Sequence, residues 1–255
     1  MNSLAPLFEV TLAQDAVDLR AAQRLRYEVF VRELGGDGAL VDHDAGLERD
    51  RFDEVSDHLI LRDISRPRED GVVGVYRLMD DAAARRAGGF YSSQEYDLSP
   101  LLSGGRRLLE LGRSCVHPDY RGGTAMYHLW QGLAEYIENK GIDVLFGVAS
   151  FHGTDLKALE MPLSLLHHNH LAPPELRVRS RVFEAMDLVP APQIDRLAAM
   201  QGTPALIKAY LRLGGVVGEG AFVDHAFNTT DVCLLVDTAR MSTRQKALYS
   251  RPGRF

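Results

Sequence analysis

The chain has 255 residues, 45% of them hydrophobic, and a formal net charge of -6 at pH 7. This length and composition allow one globular domain with a full core, and the acidic balance argues against nucleic acid as a partner, because nucleic-acid binding needs a basic surface. No apolar run reaches the ~20 residues that span a bilayer, and the first residues lack the pattern of a secretory signal. Both cysteines, Cys115 and Cys233, lie in apolar runs, which predicts buried, reduced thiols in a cytoplasmic protein.

The front of the chain alternates between strand and helix patterns. Asp15 is a predicted N-cap, and the apolar residues after it repeat every three or four positions, which predicts a helix that ends near Glu33. The polar loop that follows is long enough to be typical of a functional loop. In chain order the patterns predict a strand at 7–12, a helix at 15–33, the loop at 35–53, strands at 58–62 and 72–79, and a helix at 81–87.

Residues 108–123 carry the strongest functional signal. A predicted strand at 108–116 leads into a turn at His117-Pro118, then to Arg121, Gly122 and Gly123, just before a predicted helix. The first N–H groups of a helix lack internal partners and attract anions, and Arg121 adds a full positive charge. The sequence therefore predicts an anion site, which indicates group transfer from a phosphate-bearing carrier.

The remaining elements close the predicted sheet. A helix at 124–140 ends at Gly141 and precedes an apolar strand at 142–148. Further on, Pro162 is expected to kink or split a helical segment. The patterns also predict a polar loop at 167–170, a strand with one basic face at 176–182, a helix at 206–213 and a final hairpin from 216–227 and 231–237.

The turn resembles a motif of the GCN5-related N-acetyltransferase (GNAT) superfamily, V-H-P-x-Y-R-G, which here spans residues 116–122. The resemblance implies an α/β (α+β) fold of the GNAT type, with a central twisted mixed β-sheet flanked by helices. We expect a single domain over 1–255, with a core at about 7–150 and a C-terminal extension with closing strands at about 151–240.

The front half resembles the acyl-homoserine-lactone synthases, which share the GNAT fold. Their motifs L-R-x-x-V-F, D-x-x-D, G-x-x-R-L and E-x-x-R occur here in the same order, at residues 25–30, 50–53, 74–78 and 110–113. Those synthases take acyl groups from acyl carrier protein.

The back half resembles the ornithine–acyl-carrier-protein N-acyltransferases of bacterial ornithine-lipid synthesis. The matching segments are Phe-His-Gly at 151–153, His-Leu-Ala-Pro at 170–173, 204–211 and Phe-Asn-Thr-Thr-Asp at 227–231. This resemblance covers about residues 15–238. It implies transfer of a 3-hydroxyacyl chain from acyl carrier protein to the α-amino group of L-ornithine, which yields lyso-ornithine lipid.

Such a reaction needs a base, because an amine must lose its proton to attack a thioester. Glu110 is the predicted base, acting directly or through water, and Arg113 is the second predicted catalytic residue. In a regular strand these two residues would point to opposite faces unless a bulge intervened. Backbone N–H groups near 114–116 are predicted to stabilise the oxyanion. The alternative for Glu110 is a structural carboxylate paired with Arg113 or Arg77.

The predicted acceptor site combines acidic and basic residues. Carboxylates suit the ammonium groups of ornithine, and Arg77 or Arg113 suits its carboxylate as a bidentate partner. The alternative is an internal salt-bridge network that anchors the long loop. The predicted substrate-binding residues are Arg26, Phe30, Asp50, Asp53 and Arg77.

The predicted donor site is the turn. Positions where the superfamily usually has glycine or alanine are Thr124 and Met126 here, so the turn suits the single phosphodiester of phosphopantetheine better than the pyrophosphate of CoA. No bound cofactor or metal is expected; the acyl-phosphopantetheine of the carrier is the donor substrate. A zinc site at the histidines of 167–170 is the alternative to the polar loop. The predicted phosphopantetheine-binding residues are Val116, Arg121, Gly122, Gly123 and Thr124.

The expected partners are acyl carrier protein and L-ornithine. Acyl carrier proteins are acidic, so docking requires a local basic patch. Because the product is amphiphilic, we expect a cytoplasmic enzyme in peripheral contact with the inner membrane. The predicted docking residues are Arg177, Arg179 and Arg181, with Arg85, Arg86, Arg106 and Arg107 as a second candidate patch.

Four other functions fit the same residues. Two alternatives are other acyl transfers, either from acyl-CoA to another small amine or from acyl carrier protein to another amino acid such as glutamine. A homoserine-lactone-type synthase would use S-adenosylmethionine. A catalytically inactive module would bind the acyl carrier only.

Overall fold

The computed structural model describes residues 6–38, 41–243 and 245. Its strands are β1 Phe8–Leu12, β2 Val41–Asp42, β3 Leu47–Glu48, β4 Asp57–Asp63, β5 Val72–Asp80, β6 Tyr96–Asp97, β7 Leu108–Val116, β8 Val144–His152, β9 Arg179–Ser180, β10 Val216–Val217, β11 Phe222–Asp224 and β12 Thr229–Asp237. Its α-helices are α1 Ala16–Arg26, α2 Asp81–Ala87, α3 Ser99–Leu102, α4 Ala125–Lys140, α5 Glu160–His170, α6 Arg196–Gly202 and α7 Ala205–Arg212. A π-helix, Tyr27–Glu33, continues α1, and short 3₁₀ segments lie at Tyr91–Gln94, Pro118–Tyr120, Ala191–Gln193 and Thr238–Arg240.

The chain forms two compact units that are not consecutive in sequence. Among the described residues, the first unit comprises those within Met1–Ala87 and Leu111–Gly141, and the second comprises those within Gly88–Glu110 and Ile142–Lys246. Strand β7 contributes its first three residues to the second unit and the rest to the first.

The first unit contains the antiparallel strands β1, β4 and β5, with β7 next to β5. The register aligns Leu12 with Leu59, and Ile60 with Val75. Most β4 and β5 residues are buried on both faces.

Helices cover both faces of this part of the sheet. The side chain of Asp15 caps α1 by accepting from the N–H groups of Val17 and Asp18, and apolar residues of α1 cluster with Ile60 and Val75. On the other face, a Cβ at Gly74 would lie 2.8 Å from Leu129 Cδ1 of α4. A side chain at this strand–helix contact would force Leu129 to move.

The second unit pairs the start of β7 with β8 in parallel, and β8 with β12 in antiparallel fashion. Strands β10 and β11 both pair with β12. The predicted α/β class, a mixed sheet with flanking helices, is confirmed. In the part of the chain that the structure describes, no helix is both long and apolar enough to cross a membrane.

Four local predictions in the second unit are wrong. Pro162 does not split its helix, because it is the third residue of α5, where the backbone N–H has no intrahelical partner. The histidines of 167–170 lie at the end of that helix and not in a loop. The predicted strand at 176–182 shrinks to β9, and the first strand of the predicted final hairpin is split into β10 and β11.

Candidate active site

Six side chains in the first unit, five of them buried, form a closed ring of alternating charge, which we call the ion-pair ring. Each arginine contacts two carboxylates, and each carboxylate contacts two arginines, so the six formal charges sum to zero. In order around the ring, the residues are Arg26, Glu48, Arg113, Asp50, Arg77 and Asp53.

Arg26 joins two of the acidic members. Its Nε lies 2.5 Å from Glu48 Oε2, and its Nη1 lies 2.7 Å from Asp53 Oδ1. The Arg26 side chain is completely buried. This position arises because Arg26 is the last residue of α1, on the helix face that packs against the sheet.

The other two arginines close the ring. Arg77 Nη1 lies 2.6 Å from Asp50 Oδ1 and 3.1 Å from Asp53 Oδ1. Arg113 donates from Nε to Glu48 Oε1 at 3.0 Å and from Nη2 to Asp50 Oδ2 at 2.9 Å. Arg77 comes from β5 and Arg113 from β7.

The D-x-x-D spacing makes a turn that presents both aspartates to the arginines. The N–H of Asp53 donates to the carbonyl of Asp50, and the N–H of Phe52 donates to Asp50 Oδ1 at 2.9 Å. Such side-chain-to-backbone bonds are the usual reason for aspartate in turns. The second oxygen of Asp53 accepts from Gln23 Nε2 at 3.0 Å.

The ring keeps its carboxylates ionised. Burial by itself raises the pKa of Asp53, but the guanidinium groups of Arg26 and Arg77 outweigh burial and hold the pKa well below its usual range. The same balance lowers the pKa of Glu48 and of Asp50. Charge-assisted hydrogen bonds at low dielectric explain why these pKa values are lowered.

Exposure separates Arg113 from the other ring members. Its side chain is 15% exposed, whereas the other five are no more than 3% exposed. Asp50, Asp53 and Arg77, predicted to bind substrate, thus contact one another in the buried ring. Phe30, also predicted to bind substrate, packs against the apolar cluster beneath α1.

Arg113 has an unusual backbone. Its φ angle is 51°, in the left-handed region that residues other than glycine rarely occupy. Because of this conformation, the side chains of β7 do not alternate regularly between the two faces of the sheet at Arg113. The two ring contacts of its guanidinium hold the residue there.

Glu110 lies in the second unit and is almost fully buried. Its Oε2 accepts from the N–H of Tyr91 at 2.7 Å and its Oε1 from the N–H of Ser92 at 2.6 Å. These two donors start the 3₁₀ segment Tyr91–Gln94, so Glu110 caps that segment.

The predicted anion turn has open space above it. Gly122 adopts a φ of 76°, and a Cβ there would meet nothing within 4 Å. Helix α4 begins at Ala125 with neither a side-chain cap nor an acidic residue in its first turn. Its first N–H groups therefore have the character of an anion site.

Arg121 contacts a residue that the sequence did not indicate. Its Nη1 and Nη2 lie 2.5 Å and 2.7 Å from the two carboxylate oxygens of Glu33. Its Nε donates to the carbonyl of Val116 at 2.9 Å. Glu48 is the second functional residue that was missed: it was only one of several acids in the loop, and no motif marked it.

Cys115 is not suited to nucleophilic catalysis. Burial raises the pKa of its thiol to about 12, so the thiolate is scarcely populated at neutral pH. The predicted buried thiols are confirmed for both cysteines.

The three predicted docking arginines each have a local partner in the second unit. Arg177 donates from Nε to the carbonyl of Ala172, and Arg181 donates from Nε to the carbonyl of Ser93. Arg179 pairs with Glu219 at 2.7 Å and stacks on the ring of Phe183. Within residues 6–38, 41–243 and 245, no three His, Cys, Asp or Glu side chains form a group that could hold a metal ion.

Comparison with known proteins identifies the family to which the chain belongs. A family model described as an acetyltransferase (GNAT) domain matches residues 25–131. A protein of Rhodobacter capsulatus named L-ornithine N(alpha)-acyltransferase is 59% identical over 250 residues, which cover 97% of this chain and 96% of that protein. A protein of the same name from Brucella abortus is 42% identical over 247 residues, covering 94% of this chain and 88% of that protein. The chain belongs to the L-ornithine N(alpha)-acyltransferase family.

Solved structures place the family in its fold. LasI, an acyl-homoserine-lactone synthase, matches with a TM-score of 0.51 at 15% identity, covering 96% of this chain and 95% of LasI. FeeM, an N-acyl amino acid synthase from uncultured soil microbes, matches with a TM-score of 0.52 at 10% identity, covering 92% and 93%. The predicted GNAT-type fold, shared with the acyl-homoserine-lactone synthases, is confirmed for this acyltransferase.

The ion-pair ring makes a prediction about stability. Asp53→Asn leaves Arg26 and Arg77 with an uncompensated buried charge, so we expect the free energy of unfolding to fall by about 3–5 kcal/mol. Urea denaturation at pH 7 measures the change. Glu28→Gln is the matched control, because it breaks an exposed pair with Arg32 and is expected to cost less than about 0.5 kcal/mol. Equal effects of the two substitutions would contradict a structural role for the ring.

The stability of the Asp53→Asn variant is expected to depend on pH differently from that of the unmodified protein. Because the pKa of Asp53 is lower in the folded state, its contribution to stability is present above the unfolded pKa, about 3.9, and is lost as pH falls below that value. We expect the melting temperature of Asp53→Asn to fall less steeply with acidification below about pH 5 than that of the unmodified protein.

Proposed function

We propose that this enzyme transfers a 3-hydroxyacyl chain from acyl carrier protein to the α-amino group of L-ornithine, giving lyso-ornithine lipid, the first step of ornithine-lipid synthesis. The observation that carries the proposal is the 59% identity, over nearly the full length of both chains, to a protein named L-ornithine N(alpha)-acyltransferase. The geometry of the turn and of the strand before it supports the chemistry.

The proposed donor site is the turn from Val116 to Thr124. The phosphodiester of phosphopantetheine would lie at the N-terminus of α4, where the N–H groups lack a side-chain cap and Gly122 leaves open space. Arg121 is the proposed cationic contact, and its guanidinium also pairs with Glu33. A single phosphodiester needs only one such set of donors.

In the proposed reaction, the ornithine amine attacks the thioester carbonyl of the donor. A C–N bond forms, the amine proton passes to the base, and the tetrahedral intermediate carries an oxyanion. Its collapse breaks the C–S bond and releases the carrier thiolate, which takes up that proton to become the thiol. Backbone N–H groups near 114–116 are the proposed hydrogen-bond donors to this oxyanion. No enzyme nucleophile is required, in keeping with the protonated thiol of Cys115.

Glu110 is the proposed base, through a water molecule. The N–H groups of Tyr91 and Ser92 each donate to one of its carboxylate oxygens. A carboxylate is a group that can accept the amine proton.

Arg113 is the proposed contact for the ornithine carboxylate. Its side chain is the most exposed in the ion-pair ring, and Glu48 and Asp50 hold its Nε and Nη2. We assign the remaining members of the predicted set, Arg26, Asp50, Asp53 and Arg77, to positioning Arg113, and Phe30 to packing beneath them.

A product assay tests the proposed reaction. The purified protein is mixed with 3-hydroxyacyl carrier protein and a pool of free amino acids, and the products are identified by mass spectrometry. We expect N-acyl-ornithine. A different N-acyl amino acid would contradict the proposed acceptor, and product only with acyl-CoA would contradict the proposed donor.

The role of Glu110 is testable through Glu110→Gln. An amide cannot accept the amine proton, so we expect kcat to fall by at least about a hundredfold, with KM within threefold and the basic group lost from the pH–rate profile. Glu110→Asp retains a carboxylate and is expected to recover part of the rate. If both variants melt at lower temperature and neither changes kcat by more than threefold, Glu110 only caps the Tyr91–Gln94 segment.

Arg179 and Arg181 are the proposed core of the carrier dock, with Arg177 beside them. Reversing both charges, Arg179→Glu with Arg181→Glu, is expected to weaken carrier binding by about tenfold and to flatten its salt dependence. Arg20→Glu with Arg24→Glu is the control, because it changes the net charge equally at exposed sites of α1. Equal losses in the two double variants would contradict this dock.

A further inference from the structure

Arg121, the only full positive charge within the turn sequence 116–124, is already occupied by a carboxylate of the same chain. Glu33 contacts both terminal nitrogens of its guanidinium, at 2.5 Å and 2.7 Å, and the Nε group donates to the carbonyl of Val116. Three of the five N–H donors of an arginine are thus engaged. The bidentate geometry is the one that a phosphate would also use.

The pair is held at the surface. The side chain of Arg121 is 42% exposed and that of Glu33 is 35% exposed, so a ligand can approach both. The hydrogen bonds from Arg121 lower the pKa of Glu33, and the carboxylate is therefore ionised at neutral pH. Glu33 reaches the turn because it is the last residue of the π-helix that continues α1.

The charges around the turn are, on balance, negative. Asp119 lies within the turn itself, and its side chain is 83% exposed. Arg66 lies against Tyr120, whose hydroxyl donates to Asp63 at 2.7 Å. The turn cation Arg121 therefore pairs with one carboxylate, and further carboxylates lie beside the turn.

We propose that Glu33 selects the donor by charge. This inference rests on the proposed donor site and goes further, to the property that distinguishes donors there. A carrier-borne phosphopantetheine presents one phosphodiester, about one negative charge. A nucleotide-bearing donor such as CoA adds a pyrophosphate and a third phosphate, and each additional charge is repelled by a carboxylate that lies within the reach of the turn.

Binding measurements test the inference without relying on turnover. Calorimetry gives the dissociation constants of CoA and of 4′-phosphopantetheine for the unmodified protein and for Glu33→Gln. Glutamine keeps the length of the side chain and a hydrogen bond to Arg121 but removes the charge. We expect CoA to bind about tenfold more tightly to the variant, phosphopantetheine to change by less than threefold, and the gain for CoA to shrink at high salt.

Glu28→Gln is the matched control. It removes the same charge from the same π-helix, but Glu28 pairs with Arg32 and not with the turn, so neither dissociation constant is expected to change. Equal changes for both ligands with Glu33→Gln, or none, would overturn donor selection by Glu33. Weaker binding of both would show that Glu33 only holds Arg121 in place.

Kinetic measurements separate this inference from the proposed function. With 3-hydroxyacyl-CoA and 3-hydroxyacyl carrier protein as donors, Glu33→Gln is expected to raise the ratio of kcat/KM for CoA to that for the carrier by about tenfold. Absence of N-acyl-ornithine with either donor in the unmodified protein refutes the proposed reaction. In that case the binding measurements alone test the inference about Glu33.

Discussion

The first unit depends on burying three guanidinium groups together with three carboxylates. A buried charge that loses its partner costs several kcal/mol, so each member of the ion-pair ring requires its two neighbours. All three acids come from residues 48–53, whereas the arginines come from α1, β5 and β7. The ring therefore fastens a segment with little regular structure to three elements at once. Apolar residues of similar volume can stabilise a fold equally well, so the contribution of the ring is to specify one arrangement of that segment.

The same ring leaves one of its arginines partly exposed. Arg26 and Arg77 are buried and their partners lie inside the ring, while Arg113 is partly exposed and has a left-handed backbone. Such a conformation costs on the order of 1–2 kcal/mol, and it persists because two carboxylates hold the side chain. Strain at one residue of β7 is thus balanced by contacts to residues more than sixty positions away.

The proposed choice of donor depends on the charges of the turn and not on those of the ion-pair ring. Acyl-homoserine-lactone synthases that share this fold include one described as CoA-dependent, which matches with a TM-score of 0.53 at 17% identity. The fold alone therefore does not decide between carrier and CoA. The two donors differ in their number of negative charges, and the proposed selection depends on this difference, because the turn combines one arginine with nearby carboxylates. Electrostatic selection of this kind excludes the wrong partner as much as it attracts the right one.

The sequence by itself determined the elements and the family motifs. Residues 108–116 and 81–87 were predicted as a strand and a helix with the bounds that the structure has, and Gly141 was predicted to end α4, because periodicity, caps and breakers act over a few neighbouring residues. The tertiary structure alone decided which charges meet. Glu48 carried no local signal, and Glu33 pairs with a residue 88 positions away. Such pairings depend on how the elements pack, and packing brings together residues whose separation in sequence carries no pattern.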